Sequence, residues 1–118
     1  MKLYGINNCD TVRKARKWLN EANIPYTFHD FRKDGLSSEK LSQWEASLGW
    51  EALINRRGTT WRQLPQEVRD GMTAESAHRI MLDNPAIIKR PVSEHTTGTR
   101  IGFNAGEWAQ FLQGEAVL

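Results

Sequence analysis

The spacing of hydrophobic positions divides the first thirty residues into a strand, a helix and a second strand. Residues 2–6 form a short apolar run, and two asparagines turn the chain after it. Residues 24–31 alternate as a second strand. Between the two strands, apolar side chains recur at helical spacing, at Val12, Ala15, Trp18, Leu19 and Ala22. This order predicts a βαβ unit with parallel strands and a right-handed crossover.

The middle of the chain has the pattern of helices. One helix is predicted from a cap at Ser38 to a stop at Gly49, and a short helical turn is predicted over 65–69. Another helix is predicted from near Thr73 to Asn84. The inward positions of the two longer helices are Leu41, Trp44, Leu48, Ala77, Ile80 and Met81.

Two further strands and a helix complete the pattern. The strands are predicted over 86–89 and 100–103, antiparallel through a loop at 97–98. Asn104 and Glu107 have the spacing of a capping box before a helix with Trp108, Phe111 and Leu112 on its core face. The order of elements predicts an α/β, thioredoxin-like fold. Its core is expected at about 1–35 and 85–118, with a helical insertion at about 36–84.

Composition and charge limit the class of protein. With 118 residues the chain fits one domain, and 16 basic against 14 acidic residues leave a net charge of only +2. This balance does not favour direct nucleic-acid binding. No signal peptide is visible, and no apolar run approaches the roughly 20 residues that span a bilayer. We therefore expect a cytoplasmic monomer that binds neither nucleic acid directly nor a membrane.

Cys9 is the only cysteine, and it stands between the first strand and the first helix. Backbone N–H groups at a helix N-terminus favour an anion, so this place lowers the pKa of a thiol and increases its reactive thiolate form. A buried structural cysteine is the alternative. The polar residues on both sides favour a reactive thiol.

Four neighbours of Cys9 are candidate supporting residues: Asn8, Asp10, Thr11 and Arg13. Asn8 and Thr11 could hydrogen-bond the thiolate or serve only as turn and cap. Arg13 could add positive potential or simply face solvent. The three histidines lack metal-ligand spacing, and no glycine-rich phosphate loop is present. We predict no metal and no bound cofactor.

Four segments resemble the arsenate reductase (ArsC)/Spx family, and most closely its YffB-like branch. They read YGINNCDTVRKA at 4–15, GWEALINRRGTTWR at 49–62, NPAIIKRP at 84–91 and GTRIGF at 98–103. The resemblance implies a thioredoxin-like fold with an inserted helical subdomain. It also implies a cysteine that works with glutathione or with partners of the glutaredoxin type.

The resemblance also indicates where an anion would bind. Arsenate reductases of this family hold the oxyanion with three arginines, and Arg90 matches the one that precedes a proline. At the second position this chain has Asn55, followed at once by Arg56 and Arg57. For these two arginines a site and a solvated face are equally good interpretations.

Other positions depart from the family pattern. The third arginine falls at Phe103, three residues after Arg100, and the histidine that assists the thiol aligns with Gly5. The CxxC pair of the regulator branch has Val12 in its second position. The proline that is cis and lies beside the cysteine in this fold matches Pro91.

The sequence therefore predicts a glutathione-dependent thiol reductase-like protein with one nucleophile, Cys9. Glutathione is the expected co-substrate, and its carboxylates would suit the arginines at 56, 57, 90 and 100. Two alternatives stay open: an arsenate reductase that uses glutathione and glutaredoxin, and a non-catalytic Spx-like adaptor.

Overall fold

The computed structural model contains a four-stranded mixed sheet. It describes residues 1–116, and side chains as far as Leu112. The strands are β1 (Lys2–Gly5), β2 (Thr27–Asp30), β3 (Val92–His95) and β4 (Gly98–Ile101), and their spatial order is β2-β1-β3-β4. β1 runs parallel to β2 and antiparallel to β3, which pairs antiparallel with β4. The predicted βαβ unit and the thioredoxin-like fold class are confirmed.

The described part of the chain has eight helices. They are α1 (Asp10–Glu21), α2 (Phe31–Asp34), α3 (Ser38–Leu48), α4 (Trp50–Leu53), α5 (Thr59–Arg62), α6 (Gln66–Asp70), α7 (Ala74–Asp83) and α8 (Ala105–Ala116). A 3₁₀ turn covers Pro85–Ile87. No helix among residues 1–116 is long and apolar enough to cross a bilayer.

The chain forms two compact units. The first comprises residues 1–30 together with the chain from Arg90 onward, and it holds the sheet, α1 and α8. The second is Phe31–Lys89 and holds α2 to α7. The insertion predicted at about 36–84 lies within the second unit.

The core of the first unit is apolar and rich in aromatic rings. Its buried members are Leu3, Ala15, Leu19, Trp108 and Leu112. The Trp108 ring meets Phe103 edge-on at 4.9 Å and Trp18 edge-on at 6.0 Å between centroids. Offset and edge-on pairs such as these add stability beyond the area they bury. The Asn104 side chain accepts the N–H of Glu107 at 3.0 Å, which is one half of the predicted capping box.

The second unit has its own core of buried apolar residues. They are Phe31, Leu41, Trp44, Leu53, Ile54, Ala77, Met81, Ile87 and Ile88. Ile80 and Leu48, which the pattern also directs inward, are only half-buried. Gly49 ends α3 with φ of +84°, a conformation that suits glycine, as predicted.

The strand predicted over 86–89 is wrong. Pro85 instead opens a 3₁₀ turn, for which its fixed φ is suited. The residues that follow pair with a neighbouring segment of the same unit. Ile88 forms an isolated bridge with Ile54, and the Lys89 N–H donates to the Leu53 carbonyl at 2.8 Å. A short apolar run such as this one is compatible with either structure, and the third strand starts only after the next proline, at Val92.

Smaller boundary predictions are also corrected. β2 starts at Thr27 rather than at residue 24, and Phe31 already belongs to α2. β4 covers Gly98–Ile101 and so starts inside the predicted loop. The cap of α3 is Ser37, whose hydroxyl accepts the Lys40 N–H at 3.1 Å, and Ser38 is the first helical residue. The short helices α4 and α5 have no clear periodicity because each is a single turn.

One close contact joins the end of β1 to α1. A Cβ atom placed on Gly5 would lie 2.7 Å from Cγ2 of Val12, which is too close for two carbon atoms. Both residues are buried. A side chain at position 5 therefore requires Val12 or the backbone beside it to shift.

We predict that Gly5→Ala lowers the free energy of unfolding by about 1–3 kcal/mol, because it overpacks this contact. The double variant Gly5→Ala with Val12→Ala should lose less than the sum of the two single variants, since alanine at 12 removes the clashing methyl. Urea titrations of the four chains would measure the coupling. Strictly additive losses would show that the contact does not restrict position 5.

Candidate functional site

The thiol of Cys9 lies at the N-terminus of α1. Cys9 is the N-cap residue, with an extended backbone (φ −133°, ψ 127°), and its carbonyl accepts the Arg13 N–H at 2.9 Å. The residue is half-buried. Its side chain closes no capping hydrogen bond of ordinary geometry, so the first-turn N–H groups of α1 are left to act on the sulfur as oriented dipoles.

Several effects of opposite sign act on the pKa of Cys9, and their net result is a pKa below the ordinary value. Burial, the largest single influence, raises the pKa because it disfavours the charged thiolate. The Val12 N–H, the hydrogen bond and charge of the Arg90 guanidinium, and the Thr11 N–H all favour the thiolate, and together they outweigh burial. The thiolate fraction at neutral pH is therefore larger than that of a free cysteine.

Arg90 is brought to the thiol by the segment that leads into β3. The Arg90–Pro91 peptide bond is cis, as predicted from the resemblance, and Pro91 is buried. The Pro91 carbonyl accepts the Gly102 N–H at 2.8 Å, which ties the segment to the end of β4. Gly102, which directly follows β4, has φ of +81°, a backbone conformation that suits glycine.

The turn that carries the chain into Cys9 is anchored from two directions. The Asn7 N–H donates to Oδ2 of the buried Asp30 at 3.2 Å, and the Asn7 side-chain oxygen accepts from Arg16 at 3.1 Å. Arg16 also donates through Nε to the Tyr26 hydroxyl at 3.1 Å, and its guanidinium lies 4.2 Å from the centre of the Phe28 ring. These contacts hold the position of the residues just before the thiol.

Sequence reasoning missed Asp30 and Arg16 as parts of the site. A signal for Asp30 was present, because parallel pairing of the first two strands places their C-terminal ends together. In the structure Gly5 is opposite Asp30, which brings the carboxylate beside the turn that follows β1. For Arg16 no signal existed, since a basic residue on a helix ordinarily faces solvent.

The predicted supporting residues contribute less. Asn8, Asp10, Thr11 and Arg13 are all exposed, and Thr11 acts on the thiol through its backbone N–H. Arg13 and Asp10 pair with each other as neighbours three residues apart on α1. The charge of Arg13 is thus largely balanced by its own helix.

Arg100 and Arg90 have different surroundings, although both are in the first unit. The guanidinium of Arg100 lies over the Phe111 ring of α8, 4.1 Å from its centre, in a cation–π arrangement. The structure therefore brings Arg90 to Cys9 and places Arg100 against an aromatic ring. The anion-binding role predicted for Arg100 stays a prediction.

The basic segment predicted to bind anions lies in the second unit. Asn55 is fixed there by its N–H, which donates to the Ile87 carbonyl at 2.8 Å, and its side-chain oxygen accepts the Arg57 N–H at 3.1 Å. The Arg56 guanidinium lies 5.5 Å from the centre of the Trp61 ring. The Arg56 and Trp61 side chains lie at an open cleft of about 330 Å³, whose lining residues are Arg56, Trp61, Gln66, Arg69 and Asp70. The roles predicted for 55–57 remain predictions.

The described residues contain no group of three or more His, Cys, Asp or Glu side chains that could hold a metal ion. A Cβ atom at position 5 would lie 2.7 Å from Cγ2 of Val12, so a side chain there requires Val12 to shift. The groups that act on the Cys9 thiol are the Arg90 guanidinium and the backbone N–H groups of Val12 and Thr11.

The chain is similar in sequence and in structure to several known proteins. The global transcriptional regulator Spx of Staphylococcus aureus is 28% identical over 112 residues, which cover 93% of this chain and 85% of Spx. A solved YffB protein is 40% identical, with a TM-score of 0.85 over 92% of this chain and 96% of its own. An arsenate reductase (ArsC) related protein from Brucella melitensis is 47% identical, with a TM-score of 0.79 over 93% and 92% of the two chains. The sequence model of the ArsC family matches residues 4–111, and the chain belongs to this family.

Proposed function

We propose that this protein is a glutathione-dependent thiol oxidoreductase in which Cys9 is the nucleophile. The observation that carries the proposal is the thiol at the N-terminus of α1, beside Arg90, with a lowered pKa. A residue with a purely structural role needs neither the cation nor the partial exposure. A redox thiol needs both, since the thiolate must form and must meet its substrate.

The reaction is a pair of thiol–disulfide exchanges. The Cys9 thiolate attacks one sulfur of a glutathione disulfide, forms a mixed disulfide, and releases glutathione thiolate. A second thiolate then attacks the mixed disulfide and restores Cys9. Each step forms one S–S bond and breaks another, so the electrons come from the second thiol.

The second thiol has to come from outside the chain. Cys9 is the only cysteine in the 118 residues, and Val12 occupies the place where a resolving cysteine of a CxxC pair would be. Glutathione, or a glutaredoxin-type protein that uses it, fits this requirement. Arg90 would stabilise the Cys9 thiolate when it acts as leaving group as well as when it attacks.

Arsenate reduction is a second candidate, favoured by the name of the Brucella melitensis relative. A tetrahedral dianion needs several convergent donors, because an unpaired charge out of water is costly. In the first unit Arg90 is the guanidinium that acts on Cys9, and a side chain at the histidine position requires Val12 to shift. An adaptor role, suggested by the similarity to Spx, would leave the lowered pKa of Cys9 without a use.

We predict that Arg90→Ala raises the pKa of Cys9. The guanidinium favours the thiolate, so without it the rate of alkylation rises only at higher pH, and the rate at neutral pH falls. Iodoacetamide kinetics followed against pH would measure the midpoint. Arg100→Ala is the matched control, since that arginine lies over Phe111, and it should leave the midpoint in place.

Arg90→Lys tests the same assignment more finely. It keeps a positive charge but loses the planar guanidinium, so its midpoint should fall between those of the wild type and Arg90→Ala. An Arg90→Ala chain with the wild-type midpoint would contradict the role given to this arginine.

We also predict that the protein captures one glutathionyl group at Cys9 and reduces arsenate poorly. Intact-mass measurement after mild exposure to oxidised glutathione should show a single adduct, which dithiothreitol removes and Cys9→Ser abolishes. Absence of the adduct would refute thiol transfer. Arsenate turnover on the order of 1 per second or more, in an assay coupled to glutathione and glutaredoxin, would instead favour the second candidate.

A further inference from the structure

A second constellation of polar side chains joins α3 to α7 in the second unit. Nε2 of His78 lies 2.8 Å from the Ser38 hydroxyl oxygen, and Nδ1 of His78 lies 2.6 Å from Oε1 of Glu45. When the imidazole is neutral and its Nδ1 donates to the Glu45 carboxylate, Nε2 accepts from the Ser38 hydroxyl. A hydroxyl, an imidazole and a carboxylate in this sequence form the arrangement that activates a serine nucleophile.

The serine of this trio is exposed, whereas the histidine and the glutamate are largely buried, as a serine nucleophile requires. The His78 and Glu45 side chains are 24% and 18% exposed, so the pair is largely screened from water. Ser38 is exposed and open to a reagent. Screening strengthens the contact that fixes the imidazole tautomer, while exposure allows the hydroxyl oxygen to reach a carbonyl carbon.

The start of α3 supplies donors next to this hydroxyl. Ser37, not Ser38, caps the helix and takes the Lys40 N–H, so the Ser38 hydroxyl is available to His78. The N–H groups of Ser38 and Glu39 have no partner within the helix because they belong to its first turn. An oxyanion that forms on a group attached to Ser38 would lie in the positive field of this 11-residue helix.

We propose that Ser38 is an acyl-accepting nucleophile that hydrolyses carboxylic esters with good leaving groups. The Ser38 oxygen attacks the ester carbonyl carbon, the bond to the leaving oxygen breaks, and the Ser38 proton passes through Nε2 of His78 to that oxygen. Water then attacks the acyl-serine by the same proton route and releases the acid. Ester and water become acid and alcohol, with no change of oxidation state. Glu45 is a positioning residue that fixes the imidazole.

The test uses the full chain with Cys9→Ser, because a thiolate also attacks activated esters. This chain is incubated with p-nitrophenyl acetate, quenched at short times and mapped by peptide mass. Ser42, exposed on the same helix and with no histidine partner among the described residues, is the internal control. A positioned general base contributes about 10²–10⁴ in rate, so Ser38 should be acylated at least about 10²-fold faster than Ser42.

Variants then assign the roles. Ser38→Ala should abolish the fast acylation and the release of p-nitrophenol that accompanies it, and Ser42→Ala should leave both unchanged. His78→Gln and Glu45→Gln should bring the Ser38 rate down toward that of Ser42, with the free energy of unfolding measured beside it. Acylation of Ser38 at the rate of Ser42, or a rate that His78→Gln leaves unchanged, would overturn the proposal and leave the trio as a link between two helices. The result is independent of Cys9, which these chains lack.

Discussion

The parallel pairing of β1 with β2 is the constraint on which the candidate site depends. Parallel strands end at the same edge of a sheet, so the turn after Gly5 and the carboxylate of Asp30 meet there. The crossover helix α1 has to start from that turn, and Cys9 is the residue at its start. The position of the thiol is thus determined by backbone connectivity, and the hydrogen bond from Asn7 to Asp30 secures it.

The charges near the thiol show that position matters more than number. Four arginines from the sequence were candidates for the anion site in addition to Arg13, and in the first unit only Arg90 is found acting on Cys9 among the described contacts. Arg13 is paired with Asp10, and Arg100 lies over an aromatic ring. A single guanidinium together with two N–H groups is enough to overcome the cost of burying the thiolate partially. This is a modest electrostatic site, in which one cation and two backbone dipoles act on one thiol.

Much of the fold could be predicted from the sequence because most helices and strands bury apolar side chains on one face only. α1 buries Val12, Ala15 and Leu19 at helical spacing, so its periodicity identifies it. The segment 86–89 has three consecutive apolar residues before Lys89, a run too short for a periodicity to identify its structure. Its conformation depends on the hydrogen bond of Lys89 with Leu53 and on the bridge of Ile88 with Ile54. Cys9 and Arg90 were predictable from local context and resemblance. Contacts between residues far apart in sequence could not be predicted. Examples are the contact of Arg16 with the Phe28 ring and the contacts of His78 with Glu45 and Ser38.

The contact between Gly5 and Val12 also has a bearing on how this branch of the family can change. By the resemblance, this chain differs from arsenate reductases at position 5 and from the regulator branch at position 12, and the 2.7 Å contact joins these two positions. A side chain at 5 requires the Val12 side chain to shift or to be replaced by a smaller one. Substitutions at the two positions are therefore coupled, and the effect of one depends on which residue occupies the other.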